Sequence, residues 1–186
     1  MVIHNSAGTK SAVKIIVSAD GAVGIYNSKE ATVCNIKSAE ILIKADEIEN
    51  YETIKNTDEF KAKLEKIKPS YGIYNNSNIP VNIEEIVMKV ERLKAIGILN
   101  NAEGKIVMGK KDEILTEDSP IIYATSDNTI AIVNANAQKG KVEFYDGSFV
   151  TTKSVADQIT DVLENYEIFE FVNNGTIKCT LRRKEE

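Results

Sequence analysis

The chain has 186 residues, 27% of them charged and 42% hydrophobic, with a formal net charge of -5. That length suffices for one domain or two small lobes with a buried core. The acidic balance, with Lys and Glu interleaved, lacks the basic stripe of a nonspecific polyanion binder, so nucleic acid is not an expected partner.

Nothing at the N-terminus reads as a basic start followed by a long apolar run, so no secretory signal is expected. No apolar stretch approaches the roughly 20 residues of a membrane span. The expected location is therefore cytoplasmic or within a virion. Cys34 and Cys179 lie far apart without a CxxC partner and read as buried free thiols. Frequent Asn, Lys and Ile, with no Trp and 3 Pro, match the residue usage of an AT-rich bacterial or phage genome.

In chain order, Val2-Ile3-His4, Ala12 to Val17, Ala22 to Tyr26 and Ala31 to Ile36 read as short strands joined by polar turns such as Asp20-Gly21. Their edges need pairing with other parts of the chain or another subunit. Residues 38 to 56 are ambiguous. Ile41, Leu42, Ala45, Ile48 and Tyr51 fit one helix face, while Ile41, Ile43 and Ala45 fit one strand face. The expectation is a strand first, then irregular chain or a short helix. The run IKSAEILIKADEI is faintly similar to the short β repeats of phage tail-tip proteins, over about a dozen residues of low complexity.

Thr57 caps a predicted helix to about Ile67, with Asp58 and Glu59 in its first turn and Phe60, Leu64 and Ile67 on one side. Pro69 stops it. Tyr71-Gly72-Ile73-Tyr74-Asn75-Asn76 is echoed by Ile96-Gly97-Ile98-Leu99-Asn100-Asn101 and by the GIYNS of Gly24 to Ser28. The spacing is too irregular for a solenoid, so recurrent Asn turns are the preferred reading.

The best-bounded segment is Asn82 to Met108. Asn82 as cap, Glu85 in capping-box position and an apolar stripe of Ile83, Ile86, Val87, Val90 and Leu93 predict a helix over 83–95. Gly97 supplies its end. A hairpin of Ile98-Leu99 and Lys105 to Met108 is expected around Asn100 to Gly104. Residues 109–119 read as a polar connector. Ile121 to Ala124, Thr129 to Val133 and Lys141 to Tyr145 are strand-like. A helix capped by Ser154, bearing Val155, Ile159, Val162, Leu163 and Tyr166, precedes a hairpin of Glu167 to Val172 and Thr176 to Leu181 around Asn173-Asn174-Gly175.

The expected architecture is α+β, with short antiparallel strands and β-hairpins and about three amphipathic helices. The expected organisation is an N-terminal α+β lobe (1–108), a connector (109–119) and a C-terminal β-rich lobe (120–186) with one helix and a final hairpin, or else a single compact domain.

Candidate chemistry is sparse. Ala7-Gly8-Thr9-Lys10-Ser11 lacks the first Gly of a phosphate loop and no helix pattern follows, so a turn is the better reading. His4 has no nucleophile placed beside it by any motif. Asp112-Glu113, Glu117-Asp118 and Glu84-Glu85 lack the spacing of a calcium loop, and Glu49, Glu52, Asp58 and Glu59 read as an exposed face. Tyr71 and Tyr74, with Tyr51, suggest a recognition patch. A winged helix built on 83–95 is disfavoured, because about fifteen residues separate it from the preceding helix. No catalytic, cofactor-binding or metal residue is nominated, and no cofactor is expected. The expected function is a non-enzymatic structural or assembly protein of phage or prophage type, acting through protein partners in a homo-oligomer or larger assembly. A partner-binding regulator (winged-helix DNA binder or acidic inhibitor) and a small-ligand binder or enzyme without a linear motif are the alternatives.

Overall fold

The computed structural model describes residues 2–3, 13–46, 48–110, 119–126, 128–135, 141–145, 147–151, 166–173 and 176–183, the first and the last two stretches by their backbone alone. Its strands fall into three sheets that the chain visits in strict rotation. Sheet A holds β1 (Val2–Ile3), β4 (Cys34–Ile36), β7 (Val81–Ile83), β10 (Lys105–Met108) and β13 (Lys141–Phe144). Sheet B holds β2 (Val13–Val17), β5 (Ala39–Ile43), β8 (Ile86–Val90), β11 (Ile121–Ala124) and β14 (Ser148–Thr151). Sheet C holds β3 (Val23–Asn27), β6 (Tyr71–Asn75), β9 (Ile96–Asn100) and β12 (Ile130–Asn134). All neighbours so far are parallel. The result is a three-sided parallel β-solenoid. Two antiparallel strands, β15 (Tyr166–Asn173) and β16 (Thr176–Arg183), extend sheet B beyond β14.

This overturns the α+β expectation. The strand runs are mostly where the sequence placed them, but from β1 to β14 consecutive strands do not pair as hairpins. Each turns a corner into the next sheet and pairs with the strand one full turn away. The helix expected over 83–95 is the end of β7, the two-residue corner Glu84-Glu85, β8 and the following corner. Of its stripe, Ile83, Ile86 and Val90 point inward and are buried together with Val81 and Met88, Leu93 is buried in the following corner, and Val87 is 42% exposed on the outer face. Alternation with a slip at a corner mimics the helical spacing, and the Val and Ile content favours strand. A recognition helix is therefore absent there, and the winged-helix reading falls with it. The hairpin expected at Asn100 to Gly104 is a corner from sheet C to sheet A. The helix expected from Ser154 lies outside the described residues up to Tyr166, where β15 begins.

The solenoid reading failed on spacing because two insertions stretch the turns. Asn27 and Asn75 are 48 residues apart, Asn75 and Asn100 are 25 apart, and Asn100 and Asn134 are 34 apart. The long first interval contains α1 (Tyr51–Ile54) and α2 (Asp58–Lys66), inserted between β5 and β6. The last contains residues 109–120, between β10 and β11. Helix α2 forms as expected: the Thr57 side chain accepts from Phe60 N–H at 3.2 Å, and the buried Phe60 packs edge-on against Tyr51 at 5.6 Å. The strand-then-short-helix order of 38–56 and the closing hairpin, with Asn173 opposite Thr176, also match expectation. Strands on the two sides of 109–119 pair directly, β8 with β11 and β10 with β13.

The core is made of rows that run along the axis. Cys34, Val81, Ile106 and Val142 stack in sheet A, Ile41, Met88, Ile122 and Phe149 in sheet B, and Ile25, Ile73, Ile98 and Ile132 in sheet C, all buried. Corners extend the ladders: Asn76, Asn101 and Ala135 N–H groups donate to the Asn27, Asn75 and Asn100 carbonyls, each at 2.9 Å. No strand of three to five residues could bury a core alone, so each turn depends on its neighbours.

Candidate interaction surface

Sheet C departs most from the rule of apolar inside and polar outside. Its strands share the pattern Gly/Ala, apolar, apolar or Tyr, Asn. The last residue points inward and is buried in all four, Asn27, Asn75, Asn100 and Asn134. These amides bond in series: Asn27 Nδ2 donates to Asn75 Oδ1 at 2.7 Å, Asn75 Nδ2 to Asn100 Oδ1 at 2.7 Å, and Asn100 Nδ2 to Asn134 Oδ1 at 3.0 Å. The second hydrogens of Asn75 and Asn100 go to the Ser77 and Gly104 carbonyls at 3.2 and 2.9 Å, tying down the corner into sheet A. Only the first acceptor, Asn27 Oδ1, is buried without a partner. The array is satisfied by its own repetition, which removes most of the desolvation cost of burying amides.

The outer face of the same sheet is apolar. One row runs Val23, Tyr71, Ile96, Ile130 and the next runs Tyr26, Tyr74, Leu99, Val133. Tyr74 lies 5.5 Å from Tyr26 and 5.2 Å, edge-on, from Tyr71. Burial, then the neighbouring Tyr74, push the Tyr71 hydroxyl above its ordinary range. Tyr26 is 51% and Val23 36% exposed, and all the others but Leu99 are half-buried. Sheet A has the ordinary polar exterior: Asn82 donates to Asn35 at 2.8 Å, and Lys105 pairs with Glu143 at 2.8 Å. The sequence anticipated Tyr71 and Tyr74 together but missed Tyr26, which only the alignment of Gly24 to Asn27 with Gly72 to Asn75 would have found. Tyr51, read with them, belongs instead to the helical insertion, against Phe60.

A second polar centre lies where sheet B turns into sheet C. Arg92 Nη2 meets Asp20 Oδ1 at 2.6 Å and Nη1 meets Asp46 Oδ1 at 2.7 Å, linking corners of three successive turns. Beside it a cleft of about 410 Å³ is lined by Asp46, Tyr51, Glu52, Glu91, Thr125 and Ser126, among others. Its carboxylates are engaged in part, Asp46 with Arg92 and Glu52 with Lys55 at 2.6 Å. Among the described residues no group of three His, Cys, Asp or Glu side chains is arranged to hold a metal.

The other residues singled out in the sequence do not converge. His4, the Ala7 to Ser11 loop, Asp112-Glu113 and Glu117-Asp118 lie outside the described residues. Glu84-Glu85 form a tight corner, with Glu84 3.9 Å from Lys110. Asp58 is fully exposed beside Lys61 at 3.7 Å. Cys34 is a buried free thiol whose pKa burial pushes up, which disfavours the reactive thiolate. No helix among the described residues is long and apolar enough to cross a membrane. No protein family, curated protein or solved structure matches the chain.

Proposed function

We propose that the chain is a non-enzymatic structural or assembly protein that works through protein–protein contacts. The observation that carries this reading is the two-row apolar and tyrosine face of sheet C, mounted on a rigid solenoid. Four strands about 4.8 Å apart, each roughly 16 Å long, make a face on the order of 250 Å². That is no larger than the biggest apolar patch of an ordinary monomer, about 300–600 Å², so the face is singled out by its flat two-row arrangement and not by its size. It is well short of the roughly 800 Å² per partner of a stable pairwise interface. A face of that size suits contacts that are weak singly and repeated in an assembly.

The test is sedimentation velocity over a range of concentrations for the wild type and for Tyr74→Lys combined with Val133→Lys. Association in the wild type, weakened in the variant at an unchanged melting temperature, is expected. A wild type that stays monomeric and retains a small molecule in its native mass spectrum would contradict the reading.

A further inference from the structure

Sheet B ends at β2, and the two flanking sheets end beside it at β1 and β3. The direction of the free backbone groups on β2 follows from its ladder. Val13 N–H donates to the Ser38 carbonyl at 3.4 Å, and the Val17 carbonyl accepts from Lys44 N–H at 2.9 Å. Residues bonding to one neighbour alternate along a parallel strand. Val13, Ile15 and Val17 therefore face β5, while Lys14 and Ile16 turn their N–H and C=O groups to the edge that no described strand covers.

Exposed apolar surface gathers at the same end. Ile16 (66%), Val23 (36%) and Tyr26 (51%) lie in the first turn and Val33 (38%) on the connection into the second, and of the large exposed apolar side chains described only Val87 lies elsewhere. Ile15 heads the inward row continued by Ile41, Met88, Ile122 and Phe149. Those four are at most 1% exposed, whereas Ile15 is only partly buried. Among the described residues the row has no further member beyond Ile15.

We propose that this end docks a second copy of the chain, with β2 pairing antiparallel to its own counterpart about Ile15. The segment VKIIV is self-complementary in that register. Lys14 opposes Ile16 of the second copy, so the outward groups of both meet as hydrogen-bonded pairs. Ile15 meets Ile15 of the second copy at the close, non-hydrogen-bonded position, with both side chains directed into the joined core. No like charges face each other, and Lys14 keeps Glu40 at 3.1 Å.

The flanking sheets fit the same operation. β1 precedes β2 in the rotation of the sheets and β3 follows it, and the chain climbs about 4.8 Å per turn. A two-fold axis normal to sheet B therefore sets the β1 edge of one copy one strand spacing from the β3 edge of the other. The contact closes as a dimer and does not propagate as a fibre. It stands on the β2 edge and not on the outer face of sheet C.

Cross-linking in a Cys179→Ser background tests the register. Two-fold pairing brings position 15 to about 4.5 Å Cα to Cα from its counterpart, within disulfide reach, and leaves position 16 beyond about 8 Å. Under mild oxidation Ile15→Cys is expected to form covalent dimer at least about tenfold faster than Ile16→Cys. Ile16→Lys sets a lysine against Lys14 of the second copy and is expected to raise the dimer dissociation constant at least about tenfold at an unchanged melting temperature. Equal cross-linking at both positions, or a dimer indifferent to Ile16→Lys, would overturn the proposal even where Tyr74→Lys with Val133→Lys reduces association. Cross-linking specific to position 15 with no effect of that sheet C variant would uphold the edge and count against the face.

Discussion

The two faces of sheet C carry opposite chemistry from the same short segments. Inside, four buried asparagines bond to one another along the axis. Outside, tyrosines and aliphatic side chains occupy both rows, where sheet A carries Asn35, Asn82, Lys105 and Glu143. Polar groups tolerate burial where repetition supplies each with a partner. Apolar groups left outside gain nothing comparable from their own chain. The inner face accounts for stability, and the outer face is the one proposed for contact, so substitutions on the two should separate those properties.

The largest effect is expected at the glycines that let the turns of sheet C approach. A Cβ at Gly97 would stand 2.5 Å from the Ala131 carbonyl oxygen and 2.9 Å from Met88 Sδ. Gly97→Val should therefore cost about 3 kcal/mol or more, read as loss of the cooperative urea transition. Asn75→Ala comes next. It strands the Asn27 amide and the Asn100 oxygen and frees the Ser77 corner, so about 2–3 kcal/mol is expected in chemical denaturation. Asn27→Ala sharpens the contrast within the ladder. Its oxygen is already unpaired, so it should cost about 1 kcal/mol, clearly less than Asn75→Ala. Equal costs would mean that the serial hydrogen bonding does not organise the ladder. The smallest effect on stability is expected outside: Tyr26→Lys should change it by no more than about 0.5 kcal/mol while reducing association measured by light scattering.

Much of this was legible strand by strand. Lys105 to Met108 and Ile121 to Ala124 coincide with β10 and β11, and the Thr57 helix and final hairpin were read from capping and turn chemistry. What local pattern does not encode is which strand pairs with which. A hairpin and a solenoid corner both place short β runs around polar residues. Glu84-Glu85, read as the acidic first turn of a helix, is a corner because Ile83 and Ile86 must both point inward across it. The GIYN, GILN and AIVN echoes held the topology and the location of the tyrosine face, but insertions of unequal length hid their period. The Arg92 cluster had no local signal, since its partners Asp20 and Asp46 come from other turns.

The most direct test of the central claim, that this solenoid is a scaffold for protein contacts, is a native mass spectrum of the purified wild-type chain at several concentrations. The account predicts oligomers whose masses are whole multiples of the chain, with no added mass. A monomer at every concentration, carrying a bound small molecule or metal, would contradict it and direct attention to the cleft beside Asp46.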